Sequence, residues 1–186
     1  MAKIITLNAP AGAGKDTIGY HFSKEIGCDI VSFKAPMFNI ASSMLGAIDY
    51  QKFLAAYNDR SQKEKPHDFL GGKSCREFMI WISESVMKPV FGNQVFGKRF
   101  AEELKDYVYV CTDGGFVDEV YPLIKAGHEV IICRLHRNGY TFDGDSRNYV
   151  YLPAEWHGLN GYRELDFDLI EGDAMHTVNE IIRAVF

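Results

Sequence analysis

Cysteine is scarce in this sequence, and the four cysteines lie far apart. None of them forms a C-x-x-C pair, and none has a histidine nearby at the spacing of zinc ligands. The histidines form no H-E-x-x-H pattern, so a catalytic metal held by histidine is not indicated. We therefore expect reduced core thiols at Cys28, Cys75, Cys111 and Cys133.

Long apolar runs and an excess of basic charge are also missing. No run reaches membrane-spanning length, and Met1-Ala2-Lys3 leads into a short apolar stretch rather than a signal peptide, which predicts a cytoplasmic protein without a membrane partner. The 20 lysines and arginines against 25 aspartates and glutamates give a formal net charge of −5. No overall basic field therefore attracts nucleic acid, and a phosphate site must depend on local charges.

The composition is that of an ordinary globular protein, with 47% hydrophobic and 24% charged residues among 186. A chain of this length can bury a continuous core, and neither a repeat nor a low-complexity tract divides it. We predict a single domain over residues 1–186.

Apolar stretches rich in β-branched and aromatic residues alternate with helical patterns along the chain. The predicted strands are Ile4 to Leu7, Asp29 to Phe33, Tyr107 to Cys111, Glu129 to Leu135 and Leu165 to Ile170. The predicted helices are Thr17 to Ile26, Pro36 to Leu45, Cys75 to Met87, Val95 to Leu104, Val117 to Lys125 and Ala174 to Val185. This alternation predicts an α/β fold, a five-stranded and mostly parallel sheet with helices on both faces.

Two segments interrupt the alternation. Residues Tyr50 to Lys73 are polar and rich in charges of both signs, and residues Asn138 to Arg163 show no clear periodicity. Both are interpreted as candidate mobile covers over a site.

The segment A-P-A-G-A-G-K-D-T, from Ala9 to Thr17, lies between the first predicted strand and the first helix. Phosphate-binding P-loops, or Walker A motifs, have this order of strand, glycine loop and helix. The loop N–H groups would surround the β-phosphate, and Lys15 would reach the β- and γ-phosphates and stabilise the charge in transfer. Ala9 replaces the usual first glycine, and Asp16 replaces the magnesium-binding hydroxyl. The predicted nucleotide-binding residues are Ala11, Gly12, Ala13, Gly14, Lys15, Asp16 and Thr17.

Two carboxylates are candidates for binding Mg²⁺. Asp16 either holds the metal through water or caps the helix start, and the sequence leaves both open. Asp113 follows a buried strand, at the position from which the second acidic residue of a P-loop enzyme faces the metal or the acceptor. The alternative for Asp113 is a cap on the turn at Gly114-Gly115.

Four arginines lie at element ends or in the second irregular segment, where guanidinium groups could reach phosphate. Arg76 begins a helix, where the dipole disfavours a cation unless a bound anion or a carboxylate compensates. We predict catalytic roles for Arg76 and Arg137 and cofactor binding for Arg134. Arg147 lies in the segment that could close over the site and exclude water. For each arginine, a surface ion pair is the alternative.

Together, these features resemble the phage-type deoxynucleoside monophosphate kinases, relatives of the adenylate and thymidylate kinases. Gly14-Lys15-Asp16-Thr17 matches that family's loop, including the aspartate. Further segments are similar in the same order, namely Ser32 to Met37, Ser74 to Met79, Thr112 to Glu119 and Asp168 to Asp173.

The resemblance implies a P-loop NTPase fold like that of adenylate kinase, with an acceptor-side insertion at about 36–105 and a lid-like insertion at about 138–163. It implies ATP and Mg²⁺ as cofactors and transfer of the γ-phosphoryl group to a deoxynucleoside monophosphate. The location would be the cytoplasm, that of an infected bacterial host if the chain is phage-encoded. A homodimer is left open.

Two departures from the family concern the acceptor. Gly114 or Gly115 stands where the family has an arginine, and Phe38 replaces a lysine. They raise the alternative of a kinase that phosphorylates 5-hydroxymethyluracil within phage DNA, which would need a groove with aromatic stacking. A third interpretation, motivated by the missing hydroxyl at Asp16, is a protein that holds a nucleotide without transferring phosphate.

Overall fold

The computed structural model describes residues 1–145 and 147–186, which form two compact units. The first unit consists of Met1–Phe33 and Phe96–Phe186, and the second of Lys34–Val95. The second unit contains most of the insertion predicted at about 36–105, whereas residues 96–105 belong to the first unit.

The first unit is built on a five-stranded sheet with the strand order β2-β3-β1-β4-β5, and every neighbouring pair is parallel. Thr6 of the first strand lies opposite residues of both neighbouring strands, Cys111 and Ile132, so this strand occupies the centre. All five predicted strands are confirmed, with ends that differ by no more than two residues. They are β1 (Lys3–Asn8), β2 (Asp29–Val31), β3 (Val108–Cys111), β4 (Glu129–His136) and β5 (Arg163–Asp168).

Helices cover both faces of this sheet. Successive strand side chains point to opposite faces, and since consecutive residues are apolar, both faces are apolar and need covering. On one face, α1 (Lys15–Ile26) and α8 (Ala174–Val185) pack on a core that includes Ile5 and Ile131. On the other face, α6 (Val95–Glu103) and α7 (Val117–Lys125) pack on a core that includes Ile4 and Ile132. With a glycine loop joining β1 to α1, this is the α/β fold of P-loop NTPases.

The second unit is helical. It contains α2 (Ala35–Asn58), α3 (Arg60–Lys63), a 3₁₀ turn (Asp68–Leu70), α4 (Cys75–Trp81), a π-helical turn (Ile82–Met87) and α5 (Lys88–Phe91). Ser74 and Glu77 form a capping box at the start of α4. Helix α2 is interrupted at Gly46, whose φ of 68° is not helical.

The interpretation of Tyr50 to Lys73 as a mobile cover is wrong for its first part. Residues 50–58 continue α2, and Phe53 is completely buried in the core of the second unit. The aromatic and aliphatic residues Tyr50, Phe53, Leu54 and Tyr57 recur at helical spacing, so their side chains share one face and pack together.

The segment Asn138–Arg163 is irregular as predicted, apart from two 3₁₀ turns at Ala154–Trp156 and Leu159–Gly161. Val150, Leu152 and Tyr162 are nevertheless buried in the core of the first unit. Its second half is therefore packed structure rather than a cover.

All four cysteines are buried with free thiols, as predicted. Within the described part of the chain, no helix combines the length and the apolar character that a bilayer crossing requires.

Candidate functional site

The glycine loop lies where the central strand β1 ends and α1 begins. Its Ala13 N–H donates to the Pro10 carbonyl oxygen at 3.3 Å, which closes the loop on itself. Gly12 and Gly14 have φ values of 77° and 109°, a region that residues with a Cβ rarely adopt, so the glycines determine the path of the loop. Gly14 is the N-cap residue of α1, and no side chain caps the helix there. The positive end of the helix therefore faces the loop.

Lys15 bends back over the loop. The residue is only 8% exposed, and its ammonium donates to the Pro10 carbonyl oxygen at 3.5 Å. A hydrogen bond of this length is weak, and a phosphate oxygen is the stronger acceptor for an ammonium. Lys15 thus lies over the glycine loop, and its role toward phosphate stays a prediction.

Asp16 and Thr17 are exposed in the first turn of α1. Because Gly14 is the N-cap residue, Asp16 does not cap the helix, although its charge is favourable near the positive helix end. The water-mediated metal contact remains the prediction for Asp16.

Asp113 lies two residues beyond β3 and is fixed by three hydrogen-bond donors. The Ser32 hydroxyl donates to its carboxylate at 2.5 Å, the Phe33 N–H at 3.1 Å and the Cys111 thiol at 3.2 Å. Burial, with a further contribution from the Asp113 charge, raises the pKa of the Cys111 thiol well above its usual range, so the thiol stays protonated and can donate. The carboxylate is therefore oriented at the carboxyl ends of β2 and β3.

The alternative role of Asp113, capping the turn that follows it, belongs to another residue. The Glu119 carboxylate accepts hydrogen bonds from the N–H groups of Gly115 and Phe116 at 3.1 and 3.3 Å. Asp113 thus remains the predicted metal or acceptor residue.

Two cavities share Arg137 in their lining, and the smaller of them adjoins the loop. The smaller, of about 340 Å³, is bordered by Gly14 and Thr17 and by the connection from β5 to α8. The larger, of about 790 Å³, lies within the irregular segment, and its lining includes Tyr140, Phe142, Arg147 and Tyr149.

Arg137 contacts the loop and also forms an ion pair, the alternative that the sequence leaves open, so its catalytic role stays a prediction. Its guanidinium donates to the Ala13 carbonyl oxygen at 3.5 Å and to the Glu171 carboxylate at 2.8 Å. The same group lies 4.5 Å from the ring centre of Tyr140, and the Tyr140 ring packs against Gly12. The start of the irregular segment is thereby attached to the glycine loop.

The structure contradicts the prediction that Arg134 binds the cofactor. The parallel register places Arg134 of β4 opposite Asp166 of β5, and two guanidinium nitrogens donate to that carboxylate at 2.9 and 2.7 Å. The third donates to Glu164 at 2.6 Å and to the Val150 carbonyl oxygen at 3.0 Å. Hydrogen bonding to Asp166 raises the pKa of Arg134. This buried guanidinium holds protein carboxylates and is not presented to a nucleotide.

Arg76 lies in the second unit, near the start of α4. Its Nε donates to both carboxylate oxygens of Glu64, at 2.9 and 3.0 Å, and both side chains are more than half exposed. Glu64 is therefore the carboxylate that compensates the positive charge of Arg76 near the start of the helix. A catalytic role for Arg76 stays a prediction.

Sequence reasoning missed Asn8, the last residue of β1, which is 1% exposed. Its amide contacts Gly114 and two residues of the irregular segment, Asn148 and Val150. The available signal was a strongly polar residue at the end of an otherwise apolar buried strand, since such a side chain needs partners.

Within residues 1–145 and 147–186, no group of three or more His, Cys, Asp or Glu side chains is arranged to hold a metal ion. Proteins bind Mg²⁺ through one or two carboxylates together with substrate phosphates and water. Asp16 and Asp113 therefore stay predictions as metal ligands.

No family model and no curated protein matches this chain. It is similar in structure to shikimate kinase from Acinetobacter baumannii, at 12% identity and a TM-score of 0.45 over 98% of this chain and 92% of that chain. Shikimate kinase from Aquifex aeolicus is 11% identical, with a TM-score of 0.41 over 98% of this chain and 95% of that chain. A gluconokinase from Sinorhizobium meliloti is 12% identical, with a TM-score of 0.40 over 98% of this chain and 95% of that chain. Similarity at this level transfers neither an activity nor a residue role.

Proposed function

We propose that this chain is an ATP-dependent kinase that transfers the γ-phosphoryl group to a deoxynucleoside monophosphate. The observation that carries the proposal is the glycine loop between β1 and α1. Gly12 and Gly14 hold its backbone in left-handed conformations, and Lys15 lies over it with little exposure to solvent. Phosphate recognition in P-loops depends on a glycine loop with its N–H groups, a helix N-terminus and one ammonium.

The donor chemistry of the site fits a nucleoside triphosphate with Mg²⁺. The loop N–H groups of Ala11, Gly12, Gly14 and Lys15 and the Lys15 ammonium would hold the phosphates, whereas the Ala13 N–H is used within the loop. The cavity of about 340 Å³ beside Thr17 offers room for the nucleoside. Thr177 also lines this cavity, and its buried hydroxyl has no hydrogen-bond partner among the described residues. When bound, MgATP supplies the transferable phosphoryl group.

Each side chain then has a distinct task. Lys15 stabilises negative charge on the phosphoryl group as it moves, a contribution that grows in a site shielded from water. Asp113, oriented by Ser32, Phe33 and Cys111, is placed at the strand ends to hold the metal or the acceptor. Arg137 joins the irregular segment to the loop and helps to exclude water.

The acceptor is inferred from the resemblance of the loop G-K-D-T and of the ordered segments to deoxynucleoside monophosphate kinases. The direct test incubates the protein with ATP, Mg²⁺ and each deoxynucleoside monophosphate, and follows diphosphate formation by chromatography. We expect turnover with at least one of the four common deoxynucleotides. Failure with all of them would remove this acceptor class.

Lys15→Ala tests the role of the loop. We expect the rate to fall at least about 100-fold, and the ATP affinity to fall much less, because Lys15 acts mainly on charge that develops during transfer. Lys24→Ala is the matched control, since Lys24 is exposed in the last turn of the same helix. A Lys15→Ala enzyme with unchanged turnover would contradict the assignment.

One observation favours a second acceptor, 5-hydroxymethyluracil within DNA. The cavity of about 790 Å³ combines Tyr140, Phe142 and Tyr149 with Arg147, and aromatic side chains beside cations suit an extruded base and its phosphates. Asp143 and Asp145 in the same lining oppose a polyanionic strand. Labelled ATP with DNA that contains the modified base separates the two: label in DNA favours this alternative, and label in a nucleoside diphosphate favours the first. ATP binding without transfer to either acceptor would favour a non-catalytic nucleotide-binding protein.

A further inference from the structure

Asn8 joins three separate segments of the first unit. Its side-chain N–H groups donate to the Asn148 carbonyl oxygen at 3.2 Å and to the Gly114 carbonyl oxygen at 3.4 Å. Its side-chain oxygen accepts a hydrogen bond from the Val150 N–H at 2.8 Å. Both ends of one buried amide are therefore used, and they fix residues 148–150 beside the start of the glycine loop.

Arg147 immediately precedes the segment that Asn8 holds, and its side chain lies over Gly115. A Cβ added at Gly115 would come within 2.9 to 3.2 Å of Cδ, Cγ and Cβ of Arg147. A side chain at position 115 would therefore require Arg147 to shift. Gly115 thus makes the space that Arg147 occupies, in the turn that follows Asp113.

The Arg147 guanidinium is paired with the carboxylate of Asp145. Its Nε and Nη2 donate to the two oxygens of Asp145 at 3.0 and 2.6 Å, and both side chains are only 20% exposed. Hydrogen bonding to Asp145 raises the pKa of Arg147, and the charges of Asp113 and Glu119 raise it further. A permanent, partly desolvated cation therefore lies over the turn that follows Asp113.

We propose that Asn8 positions Arg147 over Gly115, so that the irregular segment supplies the cation of the site beside Asp113, and that a substrate phosphate replaces Asp145 as its partner. This proposal depends on the proposed kinase function. Phosphate presents oxygens to a guanidinium in the same two-pronged geometry as a carboxylate and carries more charge. Asp145 keeps Arg147 oriented and neutralised until the phosphate arrives. Asn8 is a positioning residue, because it acts through Arg147.

The test requires no knowledge of the acceptor. Calorimetry measures the affinity for MgATP and, separately, for MgADP with aluminium fluoride, which imitates the phosphoryl group in transfer. In Arg147→Ala we expect affinity for the fluoride complex to fall at least about 100-fold, while affinity for MgATP changes less than about threefold. Arg147→Lys should lose nearly as much affinity for the fluoride complex as Arg147→Ala, since an ammonium cannot form the paired contact. Arg99→Ala is the matched control, an exposed arginine paired with Glu102, and should behave as the unmodified protein.

Asn8→Ala should cause a selective loss of the same kind, of about tenfold or more, and the double variant Asn8→Ala/Arg147→Ala should be no weaker than Arg147→Ala alone. Thermal melting checks that each variant is folded. Gly115→Ala is the second probe if Asn8→Ala does not fold, because it displaces Arg147 without removing a charge, and the same selective loss is expected.

Three results would overturn the inference: an Arg147→Ala protein that binds the fluoride complex within threefold of normal, losses from Asn8 and Arg147 that add in the double variant, or a Gly115→Ala protein with normal affinity for the fluoride complex. These results differ from failure of the proposed function, in which the unmodified protein itself would transfer no phosphoryl group to either acceptor.

Discussion

Gly14 is the residue at which backbone conformation matters most for the proposed phosphate site. Its φ is 109°, yet a Cβ added there would meet no atom within 4 Å. Gly14→Ala therefore introduces no clash, and its cost is backbone strain of about 1–2 kcal/mol. Since the loop can relieve this strain only by changing the direction of its N–H groups, we expect ATP affinity to fall at least about tenfold, measured by calorimetry.

Gly158→Ala provides the control for this substitution. Gly158 also has a left-handed backbone, with a φ of 81°, and open space around the added Cβ, but it lies outside the lining of both cavities. We expect Gly158→Ala to reduce stability about as much as Gly14→Ala does and to leave the ATP affinity unchanged. Equal losses of ATP affinity in Gly14→Ala and Gly158→Ala would show that the backbone conformation of Gly14 has no special role in binding phosphate.

Asp166 makes stability depend on acid pH. Hydrogen bonding to Arg134, assisted by His136, lowers the pKa of its carboxyl from 3.8 to about 2. The folded state therefore binds fewer protons than the unfolded state between about pH 5 and pH 2, and the stabilisation present above that window is lost as pH falls through it. Because half of the side chain is exposed, we expect about 1 kcal/mol rather than the full linkage value.

Urea unfolding at a series of pH values measures this effect. Asp166→Asn should flatten part of the decline in the free energy of unfolding between pH 5 and pH 2. Asp106→Asn removes one negative charge from a side chain that is 87% exposed, and serves as the control. An unchanged slope in Asp166→Asn would contradict the assignment.

Arg134 shows why single side chains are hard to assign from sequence. At the end of a predicted strand, an arginine can bind a phosphate or form an ion pair within the protein, and the sequence does not distinguish the two roles. The distinction depends on the register between β4 and β5, which brings Asp166 opposite Arg134 and Glu164 close to it. Because Glu164 is only 6% exposed, the arginine is needed to compensate its buried charge.

At the scale of elements, the predictable parts were those with an uninterrupted local pattern. Strands β1, β3 and β4 are mostly buried runs rich in β-branched residues, and α7 and α8 have the predicted ends because their apolar stripes are regular. Helix α2 was predicted to end at Leu45, although it continues to Asn58 beyond the interruption at Gly46. Gly46 interrupts the apolar pattern, and charged residues lie on the exposed side of the helix, so the sequence pattern does not indicate the second half of α2.

The second half of α2 should be essential to the second unit. Phe53 is completely buried and packs against Phe38, Tyr57 and Phe78. Phe53→Ala removes this contact area and leaves a cavity, so we expect a loss of about 3–5 kcal/mol in the stability of the second unit. Hydrogen exchange of residues 35–91 measures the loss.

Gln51→Ala changes an exposed position on the same helix and should alter exchange by no more than about 0.5 kcal/mol. If Phe53→Ala behaved like Gln51→Ala, residues 50–58 would not form the packed helix that the structure describes.

At the scale of the whole molecule, the glycine loop could be predicted because its chemistry lies in one continuous segment of sequence. Asp113 could be predicted as well, since parallel strands present their carboxyl ends at one edge of the sheet. The contact of Arg147 with Gly115 and the role of Asn8 could not, because both depend on an irregular segment, and the Asn8 contacts join residues more than 100 positions apart. Periodicity carries no information about such a segment.

Ligand binding at the loop should stabilise the first unit as a whole, since β1 and α1 lie at the centre of its sheet and helix packing. At a concentration of ATP 100 times the dissociation constant, linkage gives about 2.7 kcal/mol, which corresponds to a rise of about 5–10 °C in the melting temperature of a chain of this size. Hydrogen exchange should show protection of residues 3–26. Lys15→Ala at the same ATP concentration should show a much smaller rise, and an equal rise in both proteins would place the nucleotide away from the glycine loop.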